Sequence, residues 1–342
     1  MPDTSALRSL MLSRWGRRQF LRGAIATSAG GAAVLAVGCG SSGGGASKSP
    51  SASATDAAPA TTPGSTANAA GITPSLLTQE FVANQDNRFA VGLLNKDNKL
   101  VKGASVHLRF FTIGADGTTG SFRGEGDADY VELNVPGAHT HDSSPQNAIA
   151  DDSVSFYVAN TPFDTDGKWG VEIAVKPADN TAPATIQAPF TVRKTAQSPG
   201  LGTVPPASRN DTFATNSNTE SLCSRSPACS LHDKVIGDVL GKGRPLVVMF
   251  STPAFCQTRF CGPVLEVLLA QVPQYQDRVD FVHIEVWQDF QLQQNRPAVT
   301  EWKLPGEPYT FFMGKDGKVV GRLESVFSDE ELKSALDQLV AL

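Results

Sequence analysis

Between positions 73 and 195 apolar side chains alternate with polar ones in short runs, over 88–94, 105–112, 129–135, 153–160, 168–175 and 184–192. Turn signals such as Asn95-Lys96-Asp97-Asn98 and Asp164-Thr165-Asp166-Gly167 separate them. Short period-two runs at this spacing, without long helical periodicity, predict an antiparallel β-sandwich with Trp169 as a core anchor. From position 233 the pattern changes. It predicts a helix over 233–240, a continuous apolar strand over 245–250, a helix over 262–272 and another apolar strand over 279–286. A short helix near 297–302, a strand over 309–313, the hairpin turn Lys315-Asp316-Gly317-Lys318 and a strand over 319–324 follow. Ser328-Asp329-Glu330-Glu331 then opens a last helix with a capping box, in which Ser and Glu satisfy each other's orphan backbone donors. Continuous apolar strands alternating with helices mark an α/β unit.

The segments outside these units have a different composition. Residues 40–71 are almost entirely Gly, Ser, Ala, Thr and Pro, with no large apolar side chain to offset the entropy of folding. A flexible coil of about thirty residues spans on the order of 30 Å. The expected division is therefore a leader at 1–38, a disordered tether at 39–72, a β-sandwich at 73–195, a Pro/Ser/Asn-rich linker at 196–220 and an α/β domain at 221–342. The length of 342 residues, with 40% hydrophobic and 18% charged side chains, suits two soluble domains rather than a polytopic membrane protein.

Charge is uneven. Residues 39–342 carry 24 Lys and Arg against 33 Asp and Glu, a net −9, which gives no general attraction to nucleic acid. The leader holds Arg17-Arg18-Gln19-Phe20-Leu21-Arg22, which resembles the twin-arginine export motif, followed by an Ala/Gly-rich apolar stretch of signal-peptide length. Leu35-Ala36-Val37-Gly38-Cys39 resembles a bacterial lipobox, with Ala36 where Leu is usual. The resemblance implies cleavage before Cys39, acylation of its thiol, and a lipid-anchored chain on the extracytoplasmic face of the membrane. The sandwich is similar to immunoglobulin-like accessory domains of bacterial envelope proteins, although no Cys lies within it to form their inter-sheet bridge.

Four cysteines remain after Cys39, an even number suited to two local bridges in an oxidising compartment. The strand Leu246-Val247-Val248-Met249-Phe250 runs into Cys256-Gln257-Thr258-Arg259-Phe260-Cys261-Gly262-Pro263 and a helix, and Pro308 precedes a later strand. With the terminal hairpin and helix, this resembles a thioredoxin-like domain, which implies that Pro308 is a cis-proline facing a redox Cys. Phe260-Cys261-Gly262-Pro263 copies half of that family's motif; Val264 stands where its second Cys belongs, and Met249 where its buried Asp belongs. Cys256 would then supply the partner thiol. Five positions apart in one continuous helix, the two Cα atoms would be about 8.6 Å apart, too far to bridge. Pro263 fits a first helical turn, so the helix should start near Cys261 and leave Cys256 in a loop. On that register Cys261 is the expected nucleophile and Cys256 the resolving thiol, although the distance of Cys256 from Phe250 favours the reverse order.

The expected function is thiol–disulfide exchange with envelope proteins bearing thiols or disulfides, with Pro308 and Phe260 contacting the partner and no cofactor required. The alternative is a non-catalytic interaction module with fixed bridges. Two further resemblances fit less well. Thr252 lies four residues before Cys256, whereas the peroxiredoxin subclass with both cysteines on one helix needs three. Copper-delivering thioredoxin-like proteins separate their Cys by three residues and add a distant His, for which His283 would be the candidate. Cys223 and Cys229 are expected to form a structural disulfide. With His232 they make three metal ligands, but the sequence offers no clear fourth, so no metal is assigned there. His139-Thr140-His141-Asp142 reads as a polar loop.

Overall fold

A computed structural model describes residues 71–342 apart from 134, 136–153, 180 and 257–259. The leader motif, Cys39, the tether and the His139/His141 loop lie outside the described residues. The first eight strands are β1 (Thr73–Leu76), β2 (Phe81–Val82), β3 (Gln85–Leu94), β4 (Ser105–Ile113), β5 (Thr119–Glu132), β6 (Ser155–Phe163), β7 (Gly167–Lys176) and β8 (Ala184–Arg193). They are ordered β1-β3-β6-β5-β4-β7-β8-β2, antiparallel except for β2 beside β8. β5 joins the two layers: Thr119 to Ala128 pair with β4, and Asp129 to Glu132 pair with β6. Phe89, Phe110, Phe163 and Trp169 fill the space between, and Trp169 Nε1 donates to the Thr165 carbonyl at 3.1 Å. The result is a β-sandwich. β5 begins ten residues before the strand expected from 129, because Gly120, Gly124 and Gly126 and two exposed faces leave no alternation to read in its first half.

Residues 196–218, expected as a linker, contain no helix or strand but are strapped to the C-terminal unit. Gly202 N–H donates to the Val319 carbonyl at 2.8 Å, Val319 N–H donates to Thr203, and Ser198, Ser208 and Thr212 are buried. Beyond the strap come α1 (Thr219–Leu222), α2 (Ile236–Val239), β9 (Leu246–Ser251), α3 (Cys261–Tyr275), β10 (Asp280–Glu285), β11 (Trp287–Asp289) and β12 (Gln294–Asn295). α4 (Pro297–Glu301), β13 (Tyr309–Met313), β14 (Val319–Glu324) and α5 (Asp329–Ala341) complete the chain. The four-stranded sheet runs β10-β9-β13-β14, with β9 and β10 parallel and the other pairs antiparallel. Strand alternation sorts its side chains. Val247, Met249, Phe281 and Phe312 pack with Val264, Leu268, Leu332 and Leu336 of α3 and α5. Val248, Phe250, Ile284 and Phe311 pack with Trp302 and Ile236 on the other face. The capping box of α5 is present, with Glu331 N–H donating to Ser328 Oγ at 3.1 Å and Ser328 N–H to Glu331 Oε2 at 3.0 Å.

The two units share one apolar core. Leu77, Ala90, Val131, Phe156 and Val158 of the sandwich belong to the same buried cluster as Val326, Phe327 and Leu332. Arg88 of β3 donates to Glu331 at 2.6 and 3.0 Å and to the Val326 carbonyl at 2.8 Å. Beside it Arg322 lies between two buried carboxylates, Glu80 at 2.8 Å and Glu324 at 2.9 Å. Gln79 and Glu80 N–H both donate to Glu324 at 3.1 Å.

Burial raises the Glu324 carboxyl above its usual range, against the pull of Arg322. Such a group binds its proton more tightly when folded, so its contribution is full below the unfolded value and is lost as pH rises through the folded one. Arg322→Met leaves two buried carboxylates without their cation and should destabilise the protein by about 3–5 kcal/mol at neutral pH. Denaturant melts should show this deficit narrowing as pH falls from about 7 to about 5, as protonation removes the buried charge. A deficit that is constant across that range would show that the cluster carries no buried charge.

Candidate functional site

Helix α3 begins at Cys261, so Cys256 lies in the loop leaving β9, as the spacing requires. The two sulfurs form a disulfide with Cα atoms 5.8 Å apart. The first turn of a helix has unpaired N–H groups and the positive end of the dipole. Here the Cys261 N–H donates to Cys256 Sγ at 3.3 Å, so this polarisation falls on Cys256. Cys256 is 9% exposed and Cys261 fully buried. Both features make Cys256 the more exposed and more polarised of the two sulfurs, in line with the order that its distance from Phe250 favours.

The Glu307–Pro308 peptide, at the start of β13, is cis, as expected. Pro308 itself is buried, and the Gln79 side chain of the sandwich donates to the Glu307 carbonyl at 3.0 Å. The Glu307 carboxylate is buried, with an oxygen within 4.8 Å of the sulfurs of both Cys256 and Cys261. A buried carboxylate thus stands beside the disulfide, directly before Pro308 in the sequence. Phe260, expected to contact a partner, is packed into the core instead. The exposed aromatic here is Phe255, next to Cys256, 45% exposed and 4.6 Å from the Phe290 ring. Thr252 is fully buried.

A second cluster lies on the α3 side of the sheet. Cys223 and Cys229, expected to be bridged, are both free thiols in the structure. They face imidazoles rather than each other alone. His283 Nδ1 is 3.3 Å from Cys229 Sγ, 3.8 Å from Cys223 Sγ and 3.1 Å from His232 Nε2. Strand alternation explains the meeting, because Phe281 points to the α3 side of β10 and His283 two positions on follows it. Contact with Cys229 holds the Cys223 thiol below the usual thiol range, and the same contact with burial pushes Cys229 up. Burial pulls His232 down. The fourth polar group missing from the sequence reading is thus His283, which is 54 residues from Cys229 and adjacent only in the fold.

No family model matches the sequence, and no curated protein matches it. Among solved structures the chain is similar to the soluble domain of PmoD from Methylocystis sp. ATCC 49242 (Rockwell), with 11% identity, 36% of this chain and 90% of that one covered, and a TM-score of 0.19. It is also similar to the Lin-41 filamin domain, with 12% identity, 39% of this chain and 99% of that one covered, and a TM-score of 0.17.

The order of reactivity at the disulfide is measurable. After reduction, limiting iodoacetamide at mildly acidic pH should modify Cys256 before Cys261, because the thiolate with the N–H donor and the greater exposure reacts first. Peptide mass mapping that finds Cys261 modified first would reinstate the opposite order.

Proposed function

We propose that the C-terminal unit is a thioredoxin-like domain that exchanges disulfides with other envelope proteins, in a chain exported and held to the membrane by a lipid on Cys39. The observation that carries this reading is the Cys256–Cys261 bridge at the start of α3 beside the cis Glu307–Pro308 peptide. The sheet order β10-β9-β13-β14, with only β9 and β10 parallel, supports it. So does the exposed Phe255, which offers an apolar contact next to the reactive sulfur.

In the reducing direction, the Cys256 thiolate attacks a client disulfide. A Cys256–client bond forms, and the other client sulfur leaves as a thiolate. The Cys261 thiolate then attacks Cys256 Sγ, closing the bridge and releasing the second client thiolate. The client gains two electrons and the pair loses two. Glu307 is the carboxylate near enough to take the proton that Cys261 must lose. The oxidising direction runs the same bonds in reverse.

The burial of Cys261 and Pro308 favours a second reading, a fixed bridge in a non-catalytic binding module. Redox titration separates the two. A working pair should have a potential above about −300 mV, whereas a structural bridge lies below it. In the same direction, Cys261→Ser should trap a mixed disulfide between Cys256 and its client, because the resolving thiol is gone. Absence of a trapped partner for either single-Cys variant, with a potential below that limit, would leave the binding module. The anchor has its own test: Cys39→Ser should move the protein from the membrane fraction to the soluble one.

A further inference from the structure

The loop from Cys223 to His232 and strand β10 place two thiols and two imidazoles around one point, and all four residues are at most 2% exposed. Their four donor atoms lie within 4.8 Å of one another. A tetrahedral Zn2+ with bonds of roughly 2.0–2.1 Å to nitrogen and 2.3 Å to sulfur sets its ligands about 3.3–3.8 Å apart. The separations here are 3.1 Å between the imidazole nitrogens and 3.3 and 3.8 Å from His283 to the two sulfurs.

The hydrogen bonds fix which atoms face inward. His283 Nε2 lies 2.8 Å from Ser251 Oγ and 3.1 Å from the Ser251 carbonyl, and a hydrogen on Nε2 serves both oxygens and leaves Nδ1 to present its lone pair to the cluster. An imidazole held by a carbonyl on one nitrogen, with the other free to ligate, is the usual outer-shell arrangement of a metal-bound His. The loop is set in place around it. His283 N–H donates to the Leu231 carbonyl at 2.9 Å, and Ser224 N–H donates to the Glu285 carboxylate at 2.8 Å.

Two imidazole nitrogens and two buried thiols converge on one point, a donor set that a cation satisfies. Two thiolates buried alone are costly, whereas two thiolates and a divalent ion are neutral. We propose that Cys223, Cys229, His232 and His283 form a closed tetrahedral site for a borderline-soft divalent cation, with Zn2+ as the ion of that class. Four protein ligands leave no open position, so the ion is structural. A cavity of about 160 Å3 lined by His232, His283, Asn210 and Arg296 gives it a route in. The ion would also brace the disulfide loop, since Ala254 N–H donates to Ser224 Oγ at 3.1 Å and Arg225 pairs with Glu266 of α3 at 2.6 Å.

The test uses the full chain, reduced and stripped of metal under anaerobic conditions, and titrated with Zn2+ and with Co2+ as a spectroscopic probe. One Co2+ per chain should bind, with thiolate-to-cobalt charge transfer and the visible bands of a tetrahedral ion. The Cys256→Ser/Cys261→Ser double variant should give the same spectrum, which excludes the other thiol pair as the ligand. Cys223→Ser and His283→Gln should each lower affinity by more than the roughly 10–100-fold that losing an outer-shell partner costs. If those variants fail to fold, the wild-type chain decides: its Tm should rise with Zn2+ and not with Mg2+. No thiolate charge transfer in the wild-type chain, binding that follows Cys256 instead, or a Cys223–Cys229 bridge in mass maps of the exported protein would overturn the site. None of these readouts depends on disulfide exchange.

Discussion

Arg322, held between the buried carboxylates of Glu80 and Glu324, is the constraint on which the arrangement of the chain rests. One guanidinium cannot neutralise two carboxylates, so the remaining charge is spread over N–H and O–H donors, from Gln79, Glu80 and Ser198. These donors come from the sandwich and from the strap that follows it. The cluster therefore holds when all three parts of the chain are in place, and it sets Gln79 against the loop before Pro308. A Cβ at Gly306 would press on the Gln79 side-chain amide, so glycine there leaves the amide in place to donate to the Glu307 carbonyl. The geometry around the disulfide thus reaches back to the first strands of the sandwich.

Two cysteine pairs lie near the same end of β9 and have different surroundings. Cys256 and Cys261 meet a helix start and a buried carboxylate, an environment in which a thiolate and its proton can be exchanged. Cys223 and Cys229 meet imidazoles, an environment that favours a shared cation. Nothing in the count of cysteines separates these cases. The neighbours decide, and they come from β10 and β13, far along the chain.

This is also why the sequence was readable in some places and not in others. The strands at 309–313 and 319–324 and the cap at Ser328 matched the structure closely, because apolar runs, an Asp-Gly turn and a Ser-x-x-Glu signal are all local. The first half of β5 was missed because it is Gly-rich and exposed, so neither period nor propensity marks it. Pro263 placed the helix start, since proline fits a first turn, and the spacing of Cys256 and Cys261 kept Cys256 out of that helix. The direction of the hydrogen bond from Cys261 to Cys256 does not follow from spacing, and it favours Cys256, which the helix start alone does not. Nothing in the sequence around His283 sets it beside Cys223 and Cys229, because those partners are remote along the chain.

The pairing of Arg88 with Glu331, separated by 243 residues, has a consequence for how the molecule assembles. The sandwich emerges first during synthesis, and its strands can pair as soon as they are made. Its outward face, with Leu77, Ala90 and Phe156, can be covered only when Val326, Phe327 and α5 have been added. Closing so long a loop carries an entropic cost that the contacts offset only at the end. Until then the chain presents an apolar surface to its surroundings, and that waiting period, rather than the stability of the finished fold, is when it is most open to aggregation.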